Sequence, residues 1–393
     1  MHDFYKKKSI QDQNYEDYWR LTLGYSDFFN KQRFKRALKI VVNHIDKYKL
    51  NEKDINELKT ESGKLNNDVV KADILVKTIS TIMGSNGKSK DDGPTARKII
   101  NTFIKLGFIN PFYSGYAKEV KKFLKSDDIN EEKRIVSDII YSRSSFNSSQ
   151  TKDDREINQI KFLIKTILNR KEEKRYLNYD ELAGLMVLDI RGKDYAYEKE
   201  INDNEKWSRY THFAERKYNQ IKYVIQTVGK LSMFTVDKKS KKIMIKGHEL
   251  DNIENDNIQR DPYRFAIMKK AVYEESEKIY GKKICWLTKK ETEGLVVSHL
   301  YASGEALRHF NFDDAYDPNN ALLLAPGNPD QYIDKHKMTI DSDGSLIMST
   351  DVMDSFKDEV LNEGYKIDQD VLNEQRMKFI NKHRKVYNEK YDR

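Results

Sequence analysis

Residues 284–349 read ICWLTKKETEGLVVSHLYASGEALRHFNFDDAYDPNNALLLAPGNPDQYIDKHKMTIDSDGSLIMS. The rest of the chain is organised around this segment. Short apolar runs predict two strands, Cys285–Thr288 and Leu295–Leu300. His299 lies at the end of the second strand. The segment therefore begins with a small strand pair that carries a histidine at one end.

Three further features follow this histidine in the chain. Asn320 opens a third apolar run, ALLLA. Pro329 then begins a short helix with Asp330 in its first turn, where acidic residues are favoured. The Asp343-Gly344 pair predicts a hairpin turn, because both residues tolerate the positive φ that such turns require.

This order of residues resembles the ββα-metal (HNH) nucleases, and in particular their restriction-type subgroup. That family pattern has a cysteine, a strand ending in Ser-His, an Asn before an apolar run, an Asp or His near a second Asp, and an Asp-Gly hairpin. The resemblance is confined to residues 284–349, and the matching residues are Cys285, Ser298, His299, Leu300, Asn320, Ala321, Leu322, Leu323, Leu324, Asp330, Ile333, Asp334, Asp343 and Gly344.

The resemblance implies a role for three of these side chains. His299 would be the general base that deprotonates a water, since an imidazole titrates near neutral pH. Asn320 would orient the histidine through backbone hydrogen bonds. Asp330 would bind a divalent cation, most often Mg²⁺ in such sites, because a hard cation prefers carboxylate oxygen.

The chain departs from the family pattern at three positions. Many relatives carry Asp immediately before the base as a second metal ligand, whereas this chain has Ser298. Other relatives carry His where Asp330 stands, and His336 lies close enough in sequence to be a substitute ligand. Pairs of cysteines bind structural zinc in many members, and Cys285 is the only cysteine here, so no structural zinc is expected.

Composition restricts the partners and the compartment. The formal net charge of +8 and a pI near 9.0 favour a polyanionic partner, and charge alone does not separate nucleic acid from an acidic membrane surface. The nuclease resemblance implies double-stranded DNA. No apolar run approaches membrane-span length, and no signal-peptide pattern begins the chain. With a single cysteine and hence no internal disulfide, these observations predict a cytoplasmic protein that does not bind membranes.

Residues 1–145 form a first, mostly helical region. Within it, Thr95–Pro111 reads as a helix that ends at Gly107 and leads into a short apolar strand. Such a unit is similar to winged-helix modules, whose helix enters the DNA major groove. Three basic side chains would then reach bases or phosphates, although a solvated basic helix face explains them equally well: Arg97, Lys98 and Lys105.

Residues 146–260 form a second helical region, and the serine-rich segment Ser142–Arg155, which is typical of a linker, spans its boundary with the first region. Residues 221–246 predict a helix and then a hairpin with a lysine-rich turn. A basic hairpin after a helix resembles the wing of a second winged helix. Its lysines would contact phosphates, or would simply form a charged hairpin tip: Lys238, Lys239, Lys241 and Lys242.

The predicted fold is α+β and mostly helical, with two helical, winged-helix-like DNA-recognition modules followed by a small ββα-metal domain at 261–393. The function this implies is sequence-specific cleavage of double-stranded DNA by a type II restriction enzyme, with a single metal ion. A homing, phage or other defence nuclease, and a noncatalytic DNA-binding regulator with a degenerate ββα unit, are the alternatives. A palindromic target would favour a homodimer.

Overall fold

A computed structural model describes residues 18–23, 31–83, 93–237, 239–245, 261–308 and 312–391. The fold is α+β and mostly helical, with 55% of the described residues in helices and 9% in strands, so the predicted fold class is confirmed at this level. The chain separates into two compact units, Met1–Lys246 and Gly247–Arg393. The expected boundary between residues 145 and 146 lies inside the first unit.

The first unit is built from eleven helices among the residues described. In chain order they are α1 Lys31–Lys47, α2 Asn67–Val70, α3 Ala72–Met83, α4 Gly93–Lys105, α5 Val120–Lys125, α6 Ile129–Arg143, α7 Gln159–Leu168, α8 Tyr179–Leu185, α9 Glu198–Tyr210, α10 Phe213–Arg216 and α11 Tyr218–Val228. The predicted helix before Gly107 is therefore present as α4. The apolar strand expected after it is reduced to an isolated bridge between Ile109 and Tyr116.

The serine-rich segment Ser142–Arg155 is packed into this unit rather than extended as a linker. Phe146 is fully buried, and its backbone N–H donates to Gln159 Oε1 at 2.9 Å. The buried hydroxyl of Ser144 donates to Asn158 Oδ1 at 3.1 Å. Serine suits both a flexible linker and a buried turn, because its hydroxyl can bond to neighbouring polar groups, and composition alone does not separate the two.

A three-stranded antiparallel sheet closes the first unit. Its strands are β1 Tyr176–Leu177, β2 Phe234–Asp237 and β3 Lys242–Ile245, in the spatial order β1-β3-β2. The predicted hairpin is therefore present as β2 and β3, and it directly follows α11. Strand β1 lies between α7 and α8 in the chain, so the sheet joins residues 176–177 to the hairpin at residues 234–245.

The second unit contains the segment with which the sequence analysis began. Its described elements are α12 Pro262–Tyr280, β4 Val296–His299, α13 Ser303–Arg308, α14 Phe312–Tyr316, β5 Ala321–Leu324, α15 Asn328–Asp334, β6 Met338–Ile340, β7 Leu346–Met348, α16 Asp354–Glu363 and α17 Glu374–Tyr391. Most of them share one apolar core, with Trp286, Leu323, Ile340 and Phe379 among its buried residues, whereas α13 and α14 contribute Ala306, Ala315 and Tyr316 to a separate small cluster. The predicted hairpin is present as β6 and β7, with Gly344 at φ +88° in the turn.

The first predicted strand of the second unit, Cys285–Thr288, is wrong. The backbone turns back on itself there, since the Lys289 N–H donates to the Cys285 carbonyl at 2.8 Å and Lys289 adopts a positive φ of 59°. One bond, from Trp286 N to the Leu323 carbonyl, ties the turn to β5 at 2.8 Å. Cys285 and Trp286 are both fully buried. A short apolar run fits a buried turn as well as a strand, and periodicity does not distinguish them.

Candidate active site

The candidate site is built on the strand pair β4–β5 and the helix α15 that follows it. The two strands are antiparallel, with Ser298 opposite Leu322 and His299 opposite Ala321. Helix α15 packs against β4. His299 is buried, and its ring lies nearly parallel to that of Phe265, with the ring centroids 6.0 Å apart and an interplanar angle of 21°. The histidine is therefore held at the end of β4 by rigid backbone and an aromatic neighbour.

Asn320 fixes the chain immediately after this histidine. Its side chain is fully buried, and its Oδ1 accepts from the Tyr301 N–H at 2.7 Å. Its Nδ2 donates to the Tyr301 carbonyl and to the Asp314 carbonyl, each at 2.8 Å. The Asn320 carbonyl in turn accepts from the Leu300 N–H at 3.1 Å. Asn320 thus holds the two residues that follow His299 through backbone hydrogen bonds.

Asp330 lies in the first turn of α15, next to Ser298 of β4. Burial raises the pKa of the Asp330 carboxyl above its usual range, and the neighbouring Ser298 side chain partly opposes that rise in pKa. Among the residues described, no basic side chain forms an ion pair with this carboxylate. The carboxylate is therefore half-buried beside the residue that precedes His299, and no cation of the described residues pairs with it.

His336 is directed into a different contact. Its ring stacks on that of His383 from α17, with the centroids 4.4 Å apart and an interplanar angle of 8°. Burial lowers the pKa of His336, a backbone hydrogen bond involving Asp334 raises it, and the nearby Lys390 charge lowers it. His336 therefore packs against α17, and its role as a substitute metal ligand stays a prediction.

The basic side chains singled out on α4 differ in their surroundings. Arg97 and Lys98 are exposed. Lys105 is half-buried, and its Nζ donates a hydrogen bond to the Arg20 carbonyl. Burial, and then the Arg20 charge, lower the pKa of Lys105 to about 8. Lys105 therefore ties residues 18–23 to α4, which leaves Arg97 and Lys98 as the exposed cations of that set.

The lysines of the β2–β3 hairpin also differ. Lys239 and Lys241 are exposed, and Lys241 Nζ lies 4.8 Å from the ring centroid of Tyr179. Lys242 Nζ is 4.5 Å from the ring centroid of Tyr176. Lys238, the remaining lysine of the predicted set, lies outside the described residues. These cation–π contacts pack the hairpin onto the start of α8 while the ammonium groups stay near solvent.

Comparisons with known proteins were made at three levels. Neither the family models, nor the curated proteins, nor the solved structures gave a match to this chain. Across the described ranges, no helix is long and apolar enough to cross a membrane. In the same ranges, no three His, Cys, Asp or Glu side chains are grouped as a metal site would need.

One residue that positions the site has no signal in the sequence. Arg376 of α17 is fully buried and forms a two-pronged ion pair with Glu275 of α12, both N···O distances being 2.7 Å. The same guanidinium donates to the Pro318 carbonyl at 3.2 Å and to the Ala321 carbonyl at 3.1 Å. These two carbonyls flank Asn320. Arg376 thus holds from behind the segment that carries Asn320.

Proposed function

We propose that this chain is a metal-dependent endonuclease that cleaves double-stranded DNA at specific sequences, as a type II restriction enzyme with an HNH active site. The observation that carries the proposal is the pair of contacts around His299. Asn320 holds the two residues after it, and Asp330 lies against the residue before it. His299 ends β4, Asn320 immediately precedes β5 and Asp330 lies in α15, so the three side chains follow the order strand, strand, helix that the resemblance implies.

The residues fit a divalent cation. Burial disfavours the charged form of Asp330, and within the described part of the chain no basic side chain pairs with it, so a bound cation would compensate its charge. The adjoining Ser298 hydroxyl is a second oxygen donor of the kind that hard cations prefer. Mg²⁺ usually keeps several waters and takes one or two carboxylates from the protein, and Asp330 would supply one carboxylate here.

In this proposal, the side chains of the chain perform separable tasks. The imidazole of His299 accepts a proton from the attacking water. Asn320 keeps the imidazole in place while the phosphodiester is attacked in line with the departing 3′ oxygen. When bound at Asp330, Mg²⁺ supplies positive charge for the phosphate and the departing oxygen. The cationic surface of the first unit would hold the DNA, since Arg97, Lys98, Lys239 and Lys241 are exposed there.

The test is cleavage of plasmid and genomic DNA by the full chain, with Mg²⁺ or with chelator. We expect discrete Mg²⁺-dependent fragments, and a loss of about 10²- to 10⁴-fold in rate for His299→Ala, the range that general base catalysis contributes. His212→Ala is a matched control, because that side chain is 61% exposed and lies in the other unit. It should cut at the rate of the unmodified protein.

The noncatalytic alternative makes the opposite prediction. Ser298, in place of the acidic residue that many relatives carry, is the observation that favours it. A regulator would bind DNA equally well with Mg²⁺ or chelator, and would cut none. Retention of DNA without any Mg²⁺-dependent cleavage would therefore replace the nuclease proposal. A smear in place of discrete fragments would keep the nuclease and remove its sequence specificity.

A further inference from the structure

The first unit contains a cleft of about 630 Å³ whose lining includes none of the basic side chains assigned to DNA. Three segments line it: the turn after α4, the end of α6, and residues 153–156. Its volume falls within the range of about 300–1,000 Å³ that small-molecule sites occupy. The first unit therefore has room for a ligand of the size of an amino acid or larger.

Hydrogen bonds and close packing hold the three segments of this cleft together. Gly107 has a positive φ of 85°, and a Cβ placed on it would lie 2.7 Å from the backbone carbonyl carbon of Arg143, so the end of α6 lies directly on the turn. The Ser145 N–H donates to the Lys105 carbonyl at 2.9 Å, and the Ser145 hydroxyl donates to the Asp154 carbonyl at 2.5 Å. The cleft is therefore formed before any ligand binds, which limits the entropy lost on binding.

Arg143 lines this cleft and is half-buried. Its Nη2 donates to Asn110 Oδ1 at 2.8 Å and its Nε to the Gly107 carbonyl at 3.4 Å, so neutral groups fix its position. Among the described residues, no carboxylate forms an ion pair with it. Burial lowers the pKa of Arg143, the Glu119 charge raises it without forming an ion pair, and the Arg155 charge lowers it. A carboxylate on a ligand would supply the missing partner.

The segment 153–156 contributes carboxylates to the same cleft. Asp153 is neutralised by Arg155, whose Nε and Nη2 donate to its two carboxylate oxygens at 2.8 and 2.5 Å. The Asp154 side chain is 19% exposed, and among the described residues it forms an ion pair only with Lys152, at an Nζ–Oδ2 distance of 3.4 Å. Glu156 is exposed and forms no ion pair with any described residue. Besides the neutral Asp153–Arg155 pair, the cleft thus presents one cation and two carboxylates.

We propose that this cleft binds a free basic amino acid, with its α-carboxylate on Arg143 and its two cationic groups on Asp154 and Glu156. Each charge of such a ligand then meets an opposite charge of the cleft. The planar guanidinium of Arg143 matches a carboxylate through two parallel hydrogen bonds. The buried Ile104 and Ile109, which also line the cleft, would pack against the aliphatic part of the ligand. No residue of the β4–β5 site lines the cleft, so binding here does not depend on nuclease activity.

The test is isothermal titration calorimetry of the full chain at pH 7 with L-arginine and with agmatine, which is arginine without its carboxylate. We expect arginine to bind about 10- to 150-fold more tightly, the factor that corresponds to a charged hydrogen bond of about 1.5–3 kcal/mol. Arg143→Gln should lower the affinity for arginine to that for agmatine and leave agmatine binding unchanged. Asp154→Asn should weaken the binding of both ligands.

Arg134→Gln is the matched control. Arg134 also lies on α6, is half-buried and forms no ion pair with a described residue, but it does not line the cleft. This variant should bind arginine and agmatine as the unmodified protein does. If Arg143→Gln binds neither ligand because its cleft is misfolded, Arg143→Lys decides, since lysine keeps the charge without the fork. The lysine variant should still prefer arginine to agmatine, and equal affinities would refute the role of this residue.

Three results would overturn the proposal. Equal affinity of the unmodified protein for arginine and agmatine would show that Arg143 holds no carboxylate. Binding of arginine by Arg143→Gln as tight as by the unmodified protein would place the ligand elsewhere. The absence of both binding heat and a change in Tm at millimolar concentrations of either ligand would show that the cleft is occupied by solvent alone.

Discussion

Replacing Asn320 with alanine tests whether this side chain determines the position of His299. The substitution removes three hydrogen bonds from a fully buried amide, with lengths of 2.7, 2.8 and 2.8 Å. Each is worth about 1 kcal/mol net, and a buried group left without a partner costs about 1–3 kcal/mol more. Tyr301 is half-buried, so water can reach some of the backbone groups that lose their partner, which lowers this cost. We expect a loss of about 3–5 kcal/mol in the free energy of unfolding.

Tryptophan fluorescence during urea unfolding measures this loss. The chain has three tryptophans, Trp19 and Trp207 in the first unit and Trp286 in the second. A background in which Trp19 and Trp207 are phenylalanine leaves Trp286 as the reporter of the unit that holds Asn320. Under conditions where the variant is still folded, we expect cleavage to fall about 100-fold, as it does when reacting groups are misplaced by about 1 Å.

The neighbouring asparagine provides the control. Asn319 is half-buried. Its side chain donates to Asp317 at 2.9 Å and accepts from Asn373 at 2.9 Å, and among the described residues it bonds to neither Leu300 nor Tyr301. Asn319→Ala should cost about 1–2 kcal/mol and leave cleavage of the folded protein unchanged. If Asn320→Ala unfolds at the same urea concentration as Asn319→Ala and cuts DNA at the unmodified rate, the bracing role assigned to Asn320 is incorrect.

Three further predictions concern the same unit. Arg376→Met should lower the free energy of unfolding by about 3–5 kcal/mol, because Glu275, which is only partly exposed, would lose its partner. Adding Glu275→Leu should restore part of this free energy, as measured by urea unfolding. Burial raises the pKa of Asp330, so the stability that its protonated form provides is lost as pH rises through that pKa. Asp330→Asn removes the buried charge and should therefore raise Tm at pH 7. The substitution should also abolish the gain of about 1.4 kcal/mol in the free energy of unfolding that Mg²⁺ at ten times its Kd would give the unmodified protein. Burial lowers the pKa of His383 to about 4, so the stability that its neutral ring provides is complete above pH 6.5 and is lost as pH falls toward 4, by up to about 3 kcal/mol. His383→Gln should make the free energy of unfolding less dependent on pH, as measured by urea unfolding at pH 7, 5.5 and 4.5.

Local patterns predicted several elements correctly, each for a physical reason. An Asp-Pro pair such as Asp261-Pro262 is typical of a helix start, and α12 begins there with the Asp261 side chain accepting from the N–H groups of Tyr263 and Arg264. Pro329 and Asp330 indicated the short helix α15, which begins at Asn328 and has Asp330 in its first turn. These signals concern backbone groups within a few residues of each other, so the sequence nearby contains the whole interaction.

The interactions missed from the sequence join residues that are far apart in the chain. Arg376 contacts Glu275 across 101 positions and the Ala321 carbonyl across 55. Nothing in the helix EQRMKFINKHRKVYNEKY separates this arginine from Arg384, which remains partly exposed. The packing of Ser142–Arg155 was missed for the same reason, because burial there is decided by α7 and by Asn101 rather than by composition.

The bracing of the candidate site also has a consequence for how activity and stability are related. Asn320 is held by backbone groups from the β4 end and from α14, and Arg376 holds the carbonyls on both sides of it from α17. The imidazole of His299 is thus positioned by interactions that also stabilise the second unit, so loss of either brace should lower both properties together. Asp330 is the exception. Its carboxylate makes no ion pair with a described residue and is disfavoured by burial, so removing its charge should stabilise the unit while it ends metal-dependent cleavage. A residue at which stability and cleavage change in opposite directions is what a metal ligand predicts and what a purely structural aspartate does not.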